Sequence, residues 1–278
     1  MSLQFESSSL RARCEAAAAI ARQVGQDTAR FRQEALPDAL GIENKGPQDF
    51  VTIADRRSEE AIRNALLAVF PEDAFMGEEG GGQSGERGTW VVDPIDGTTN
   101  FIRGFRHWGV SIAFVAGSEI LIGAIYDAAQ DKVFHAIRGE GAFKEGQPIA
   151  AAKTVDPAQA IAVLGHSRRT DFEDYISVSR RLYERGIDYR RMGAAAIGLI
   201  RVAEGISDLY YERHLSAWDM LAGVLIAKEA GATVAVPPLD RLLHRGGPVV
   251  AFAPGLGNEF SFLIEMEGLS AAQQDGRV

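Results

Sequence analysis

Trp90-Val91-Val92-Asp93-Pro94-Ile95-Asp96-Gly97-Thr98-Thr99-Asn100 places two carboxylates, Asp93 and Asp96, where an apolar strand breaks. Trp90, Val91 and Val92 supply a buried strand, Pro94 has no N–H to give a sheet ladder, and Gly97-Thr98-Thr99 reads as the mouth of a helix. The strand therefore ends in acid. A carboxylate pair beside the N–H groups of a helix start can hold a divalent cation and an anionic phosphate in adjacent places, because the cation cancels the repulsion between them. The structural alternative is that Asp is a common turn and cap residue, with Asp96 merely capping the helix that follows Gly97.

Working outward, Gly77-Glu78-Glu79-Gly80 brings further acid after the short apolar run Ala74-Phe75-Met76, and Trp218-Asp219 opens a long apolar helix. Glu78, Asp93, Asp96 and Asp219 are candidates for one site. No Cys or His sits beside them, so the donor set is all oxygen and suits a hard cation such as Mg2+ better than zinc.

Gly77-Glu78-Glu79, Asp93-Pro94-Ile95-Asp96-Gly97-Thr98-Thr99-Asn100 and Trp218-Asp219 resemble the signature motifs of the inositol monophosphatase family, the Mg2+-dependent, lithium-sensitive phosphomonoesterases. Lys45-Gly46-Pro47-Gln48-Asp49-Phe50-Val51-Thr52-Ile53-Ala54-Asp55 resembles the segment ahead of the family's second helix. The four blocks keep the family's order over roughly residues 10–260. The resemblance implies an α/β fold, the layered α-β-α-β-α sandwich of the inositol monophosphatase and fructose-1,6-bisphosphatase type.

It also implies roles. Glu78 and the carbonyl of Ile95 would hold a first Mg2+, Asp93 would bridge two, and Asp96 and Asp219 would hold the second. Glu78, Thr98 and Asp55 would activate the attacking water, with Glu79 supporting them. The amides of Gly97 and Thr98 would cradle the phosphate, while Asp96, the backbone at Ala195 and the carboxylate of Glu212 would face the rest of the substrate. Lys45 would matter where its loop closes over the phosphate or contributes to a third metal site. Three features depart from the family pattern: Ala194 stands where many relatives carry a hydroxyl, Arg191 replaces a small polar residue, and Arg213-His214 follow Glu212.

Residues taken singly have plainer readings. Asp219 could be an N-cap, Glu78 and Glu79 surface acids in a Gly-rich turn, and Thr98 and Asp55 a hydroxyl cap and a solvated helix-start acid. Arg168, Arg169, Arg190 and Arg191 either recognise a second anionic group or are solvated surface arginines.

A chain of 278 residues with 46% hydrophobic side chains has ample core and suits two intimately packed halves. Residues 6–36 carry apolar positions at helical spacing up to Pro37, and Lys45 to Asp49 is loop chemistry. Phe50 to Ala54 reads as an extended piece and Ser58 to Phe70 as a second amphipathic helix. Trp108–Ala116, Ile120–Tyr126 and Lys132–Ile137 read as strands of a meander. From Ile161 strand and helix alternate, so a boundary near 150–160 separates an α+β half, 1–155, with most metal ligands, from an α/β half, 156–278, with the last ligand and the substrate-side residues. The tail from Ser270 is polar and expected to fray.

Cys14 is the single cysteine, which excludes an intrachain disulfide and suits a reducing cytoplasm. The first residues lack the basic and apolar regions of a leader, and no apolar stretch approaches the ~20 residues of a membrane span. A net charge of −9 argues against a broad nucleic-acid surface. With one Cys and five scattered His there is no evident nucleophile–base pair.

The expected activity is hydrolysis of an inositol monophosphate or a similar polyol or sugar phosphate by metal-activated water, in a homodimer. The alternatives are histidinol phosphate, fructose 1,6-bisphosphate or a 3′-phosphoadenosine nucleotide as substrate, or a regulatory, partner-binding protein on the same fold.

Overall fold

The computed structural model describes residues 5–35, 40–46 and 49–270, with the side chains of Lys45 and Asp49 outside the described set. The stop at Pro37, the role of Lys45 and the tail beyond Ser270 therefore lie outside it.

In chain order the helices are α1 (Ser7–Glu34), α2 (Ile53–Val69), α3 (Thr98–Arg103), α4 (Phe172–Glu184), α5 (Ala195–Ala203), α6 (Ala217–Glu229), α7 (Leu239–Arg245) and α8 (Gly257–Met266). The first strands are β1 (Glu43–Gly46), β2 (Asp49–Val51), β3 (Ala74–Gly77), β4 (Gly81–Gly82) and β5 (Thr89–Asp96). The meander follows as β6 (Gly109–Ala116), β7 (Glu119–Asp127), β8 (Lys132–Ile137), β9 (Gly141–Lys144) and β10 (Gln147–Pro148). The remainder are β11 (Ile161–Leu164), β12 (Asp188–Arg190), β13 (Leu209–Leu215), β14 (Thr233–Ala235) and β15 (Gly247–Phe252).

An eight-stranded sheet runs β10-β9-β8-β7-β6-β5-β3-β4 and a five-stranded one runs β12-β11-β13-β15-β14. Alternation along the strands distributes the cores. Trp90, Val92, Ile112 and Phe114 meet α1 and α2 through Ala17, Ala21, Ile62 and Leu66. Val91, Ala113 and Ile125 meet α5 and α6, whose other sides cover Tyr210, Val249 and Ala251 of the smaller sheet. α4 and α8 close its far face through Val178, Leu182, Phe260 and Leu263. The layers are thus α-β-α-β-α, as the resemblance implies. The inner helices are buried on all sides, which is why α6 lacks a polar stripe: nine of its residues, Ala217 and Met220–Ala227, are buried.

Several local expectations need correction. Lys45, Gly46 and Asp49 are not plain loop: they lie in β1 and β2, which pair antiparallel as a short ribbon. The second helix starts at Ile53 rather than Ser58, because Thr52 and Asp55 form a capping box that satisfies its first N–H groups. The later half is not a uniform α/β unit: β12, β11 and β13 are parallel, but β15 runs antiparallel to both β13 and β14.

Candidate metal and phosphate site

The site begins with an irregularity. Asp93 pairs with Ser111 and Asp96 with Gly109, so β5 spends three residues where β6 spends two. In a regular strand side chains three apart point to opposite faces; the extra residue returns Asp93 and Asp96 to the same side. Val91, two before Asp93, packs on the central helices, so both acids face that layer. Pro94 falls inside the bulge, where its missing N–H leaves no ladder bond unmade.

Three chain positions converge there. β3 runs parallel to β5 and the N–H of Glu78 donates to the Val92 carbonyl at 3.2 Å. Asp219 is held at the start of α6, where its carboxylate accepts the Ser216 N–H at 2.8 Å, and Ser111 Oγ donates to the Trp218 carbonyl at 3.0 Å. One carboxylate oxygen from each of Glu78, Asp93 and Asp219 lies within 4.8 Å of the other two. Asp93, itself 2% exposed, accepts the Ile95 N–H at 2.9 Å. Burial, then the negative charges of Glu78, Asp96 and Asp219, raise its pKa well above the ordinary carboxylate value. Burial also pushes Asp219 up to about 7, reinforced by the charges of Asp96 and Glu212.

Asp96 stands beside this trio rather than within it. Its carboxylate accepts the amides of Ala195, Ala196 and Ile197 at 2.9, 2.8 and 3.3 Å, the first turn of α5. It does cap a helix, but a distant one and not the helix after Gly97. Burial pushes it up to about 6 against those amides, which pull the other way. At Ala195, whose backbone is expected to touch substrate, the N–H donates to Asp96.

Gly97 begins α3 at φ +93°, a left-handed conformation, and a Cβ there would lie 3.0 Å from both Ala194 Cβ and the His107 carbonyl. Thr98 Oγ1 sits 3.2 Å from Asp55 Oδ1 and 3.0 Å from the Ile95 carbonyl. Asp55 is not a solvated helix-start acid. It is fully buried, its other oxygen taking the Thr52 N–H at 2.8 Å and hydroxyl at 2.6 Å, and burial raises its pKa.

On the far side Glu212, in β13, is 7% exposed and accepts the Tyr210 hydroxyl at 2.8 Å. Burial pushes it up to about 7. A Cβ on Gly165 would lie 1.9 Å from its carboxylate, so the turn after β11 passes directly over it. Arg213 points the opposite way along β13 and pairs with Asp174 and Glu267 in the outer layer, so its side chain does not enter the site.

Some positioning residues escape the sequence reading. Glu59, in α2, accepts the Glu79 and Gly80 amides at 2.8 and 2.7 Å and thereby holds the turn that presents Glu78. Asn100 donates to the His107, Met192 and Gly193 carbonyls at 2.7, 2.8 and 3.3 Å, tying α3 to the entrance of α5. Neither carries a local signal. Thr52-x-x-Asp55 and Ser216-x-x-Asp219 do, since both are the capping-box spacing and both place a site acid at the third helical position.

All-oxygen donors, among which burial raises the proton affinity of Asp93, Asp96 and Asp219, fit a hard divalent cation. Comparison with known proteins agrees with that fit. The profile of the "Inositol monophosphatase family" matches residues 13–257. The chain is 39% identical to "Fructose-1,6-bisphosphatase/inositol-1-monophosphatase" of Aquifex aeolicus over 68% of this chain and 73% of that one. It is 33% identical to "Nus factor SuhB" of Vibrio cholerae over 84% and 88%. Among solved structures, the extragenic suppressor protein suhB of Bartonella henselae superposes with a TM-score of 0.83 at 30% identity, covering 90% of this chain and 97% of that one.

Proposed function

The chain belongs to the inositol monophosphatase family, and from that premise we propose that it hydrolyses a small phosphate monoester, an inositol monophosphate or a similar polyol or sugar phosphate. The observation that carries the reading is the convergence of Glu78, Asp93 and Asp219 within 4.8 Å, with Asp96 adjoining. The proposed ligands are Glu78, Asp93 and the Ile95 carbonyl for one Mg2+, and Asp93, Asp96 and Asp219 for a second. Bound there, such cations supply charge neutralisation and acidify a water at neutral pH.

The chain's own groups do the rest. Thr98 Oγ1 has its single proton engaged by Asp55 or the Ile95 carbonyl, leaving its lone pairs to accept from and orient a water. Glu78 would help orient the same water, Glu79 would support it, and the Gly97 and Thr98 amides would cradle the phosphate oxygens. Glu212 accepts from substrate hydroxyls, and its hydrogen bond from Tyr210 fixes its orientation.

Phosphate release in the presence of Mg2+ from inositol 1-phosphate, histidinol phosphate, fructose 1,6-bisphosphate and a 3′-phosphoadenosine nucleotide tests the reading; activity on none of them would defeat it. Millimolar Li+ should inhibit, and an unchanged rate would remove the second-metal assignment. A dimeric mass in solution is expected, and a cytoplasmic setting agrees with the lone, buried Cys14. No helix among the described residues is long and apolar enough to cross a membrane. Relatives named as Nus factors favour a second reading, in which the chain acts through partners; a biological role that survives Asp93→Asn would support it.

A further inference from the structure

The first residues of α3 belong to the site described above, but its last turn lines a separate cavity of about 630 Å3 that takes none of the metal or phosphate residues. A volume of that size suits a small molecule. The cavity lies between the later turns of α1, the turn from Gly104 to Trp108 and the end of β7. Its wall is aromatic. Phe101 and Trp108 meet edge to face with ring centres 5.3 Å apart, and Trp108 meets Tyr126 at 6.5 Å. On the rim Phe105 is 62% exposed. One exposed phenyl is ordinary on a protein surface, but this one sits on a fixed turn: its N–H donates to the Asn100 carbonyl at 2.9 Å, and the Trp108 N–H to the Arg106 carbonyl at 3.0 Å.

The same wall is positive. Arg30, Arg32 and Arg106 line it against one acid, Asp131, in a chain with nine more acids than bases. Asp131 is already engaged, accepting from Gln26 Nε2 at 2.9 Å and from the Tyr126 hydroxyl at 3.1 Å. Arg30 approaches Asp27 only at 3.4 Å, and the Arg106 side chain has neither an ion pair nor a hydrogen bond among the described residues. Arg32 donates through Nε and Nη2 to the Phe101 and Ile102 carbonyls at 2.8 and 3.0 Å and keeps further N–H groups for a ligand. Aromatic faces beside guanidinium groups with spare donors match a flat ring that bears an anionic group.

We propose that this cavity binds a small aromatic anion of the arene carboxylate class, its ring against Phe105 and Trp108 and its charge on Arg32 and Arg106. A carboxylate attracts a guanidinium more strongly than neutral carbonyls do, so the bound anion draws Arg32 from the last turn of α3 and loosens the short helix whose first residues face the phosphate. The ligand therefore weakens substrate binding. That coupling rests on the phosphatase reading above; the binding itself does not.

The test titrates the full chain in a calorimeter with 2-naphthoate, with neutral 2-naphthylmethanol and with ringless acetate. One 2-naphthoate should bind per chain, at least about tenfold tighter than either of the others. Arg106→Gln should weaken it about tenfold, the lower range for a hydrogen bond to a charged group at an exposed site, and Phe105→Ala about fivefold. Arg180→Gln, on the exposed side of α4, should leave it alone. With Mg2+ present, saturating 2-naphthoate should raise the KM for inositol 1-phosphate about fivefold in the wild type, and the same concentration should have little effect on Arg106→Gln. Equal binding of the three probes, or binding that Arg106→Gln and Phe105→Ala both keep, overturns the proposal. Dimers that dissociate in those variants, with no probe bound by the wild type, would assign the face to a second copy and overturn it as well. A chain that binds 2-naphthoate but hydrolyses no ester keeps this site and sinks the phosphatase reading, whereas one that hydrolyses esters with a KM indifferent to bound 2-naphthoate sinks the coupling.

Discussion

At the C-terminal end of α5, Arg201 is buried between Asp127 and Glu204, and Lys144 reaches Glu204 at 2.8 Å. At the N-terminal end of the same helix, Asp96 is buried among Asp93, Asp219 and Glu78, and no Lys or Arg pairs with Asp93, Asp96 or Asp219 among the described residues. Both clusters sit in the central helix layer, and both contain charge that burial penalises. The first carries its own counter-ions on β9, β7 and α5. In the second, backbone amides serve Asp96, Asp93 and Asp219, and the carboxylates raise one another's pKa. A buried cluster in which, among the described residues, no Lys or Arg pairs with Asp93, Asp96 or Asp219 is suited to a cation from solution, and this difference separates a structural ion network from a candidate binding site.

The contrast can be broken most directly at Asp93. Asp93→Asn keeps the shape and removes one repelling charge, so turnover should fall about a thousandfold, roughly 4 kcal/mol of barrier, while the metal-free protein melts no lower than the wild type. A cooler melting transition without metal would mean that Asp93 holds the fold rather than the cation. Arg201→Ala is the mirror experiment. It strands Asp127 and should destabilise by about 3 kcal/mol whether or not Mg2+ is present, since the partner lost is internal. A loss that Mg2+ rescues would erase the distinction between the two ends.

Titration sharpens it further. Asp96 is pushed up to about 6 and Asp219 and Glu212 to about 7, from ordinary values of 3.8 for Asp and 4.5 for Glu. A carboxyl with a raised folded pKa stabilises the fold fully below its unfolded value, and that contribution disappears as pH climbs through the folded value. In EDTA the melting temperature should therefore decline between pH 4 and pH 8. Mg2+ at about a hundred times its dissociation constant should return about 2.7 kcal/mol at pH 8 and less at pH 5, where protons compete for the same oxygens. A Mg2+ shift that is equal at both pH values would contradict this. The smallest effect belongs to Thr52→Ala, which opens a capping box and should cost about 1 kcal/mol. Because it also removes one of the two Thr52 donors that hold Asp55, which sits by Thr98, it should lower kcat as well; stability loss with kcat unchanged would detach Asp55 from the water-orienting group.

Much of this was legible without coordinates. The apolar period of α1, the strands of the meander and the start of α6 at Trp218-Asp219 follow from patterns a few residues long. The acids were legible because Asp-Pro-Ile-Asp-Gly breaks a buried strand. What escaped was mostly short or paired at a distance. β12 is three residues and α7 seven, too brief to show a period. Glu59 reads as one more acid in an amphipathic helix until its contact with the turn at Glu79 and Gly80, about twenty positions away, is seen.

The chain by itself determined that its acids would lie at strand ends and helix starts, because proline, glycine and capping chemistry act on neighbours along the backbone. Only the folded layers decided which acids meet. One extra residue in β5 turns Asp93 and Asp96 to the same face, the amides of α5 claim Asp96, and the opposite face of β13 takes Arg213 away from the site. Those outcomes depend on register and packing between segments far apart in sequence. Their energies arise from burial and charge in three dimensions, which no local pattern encodes.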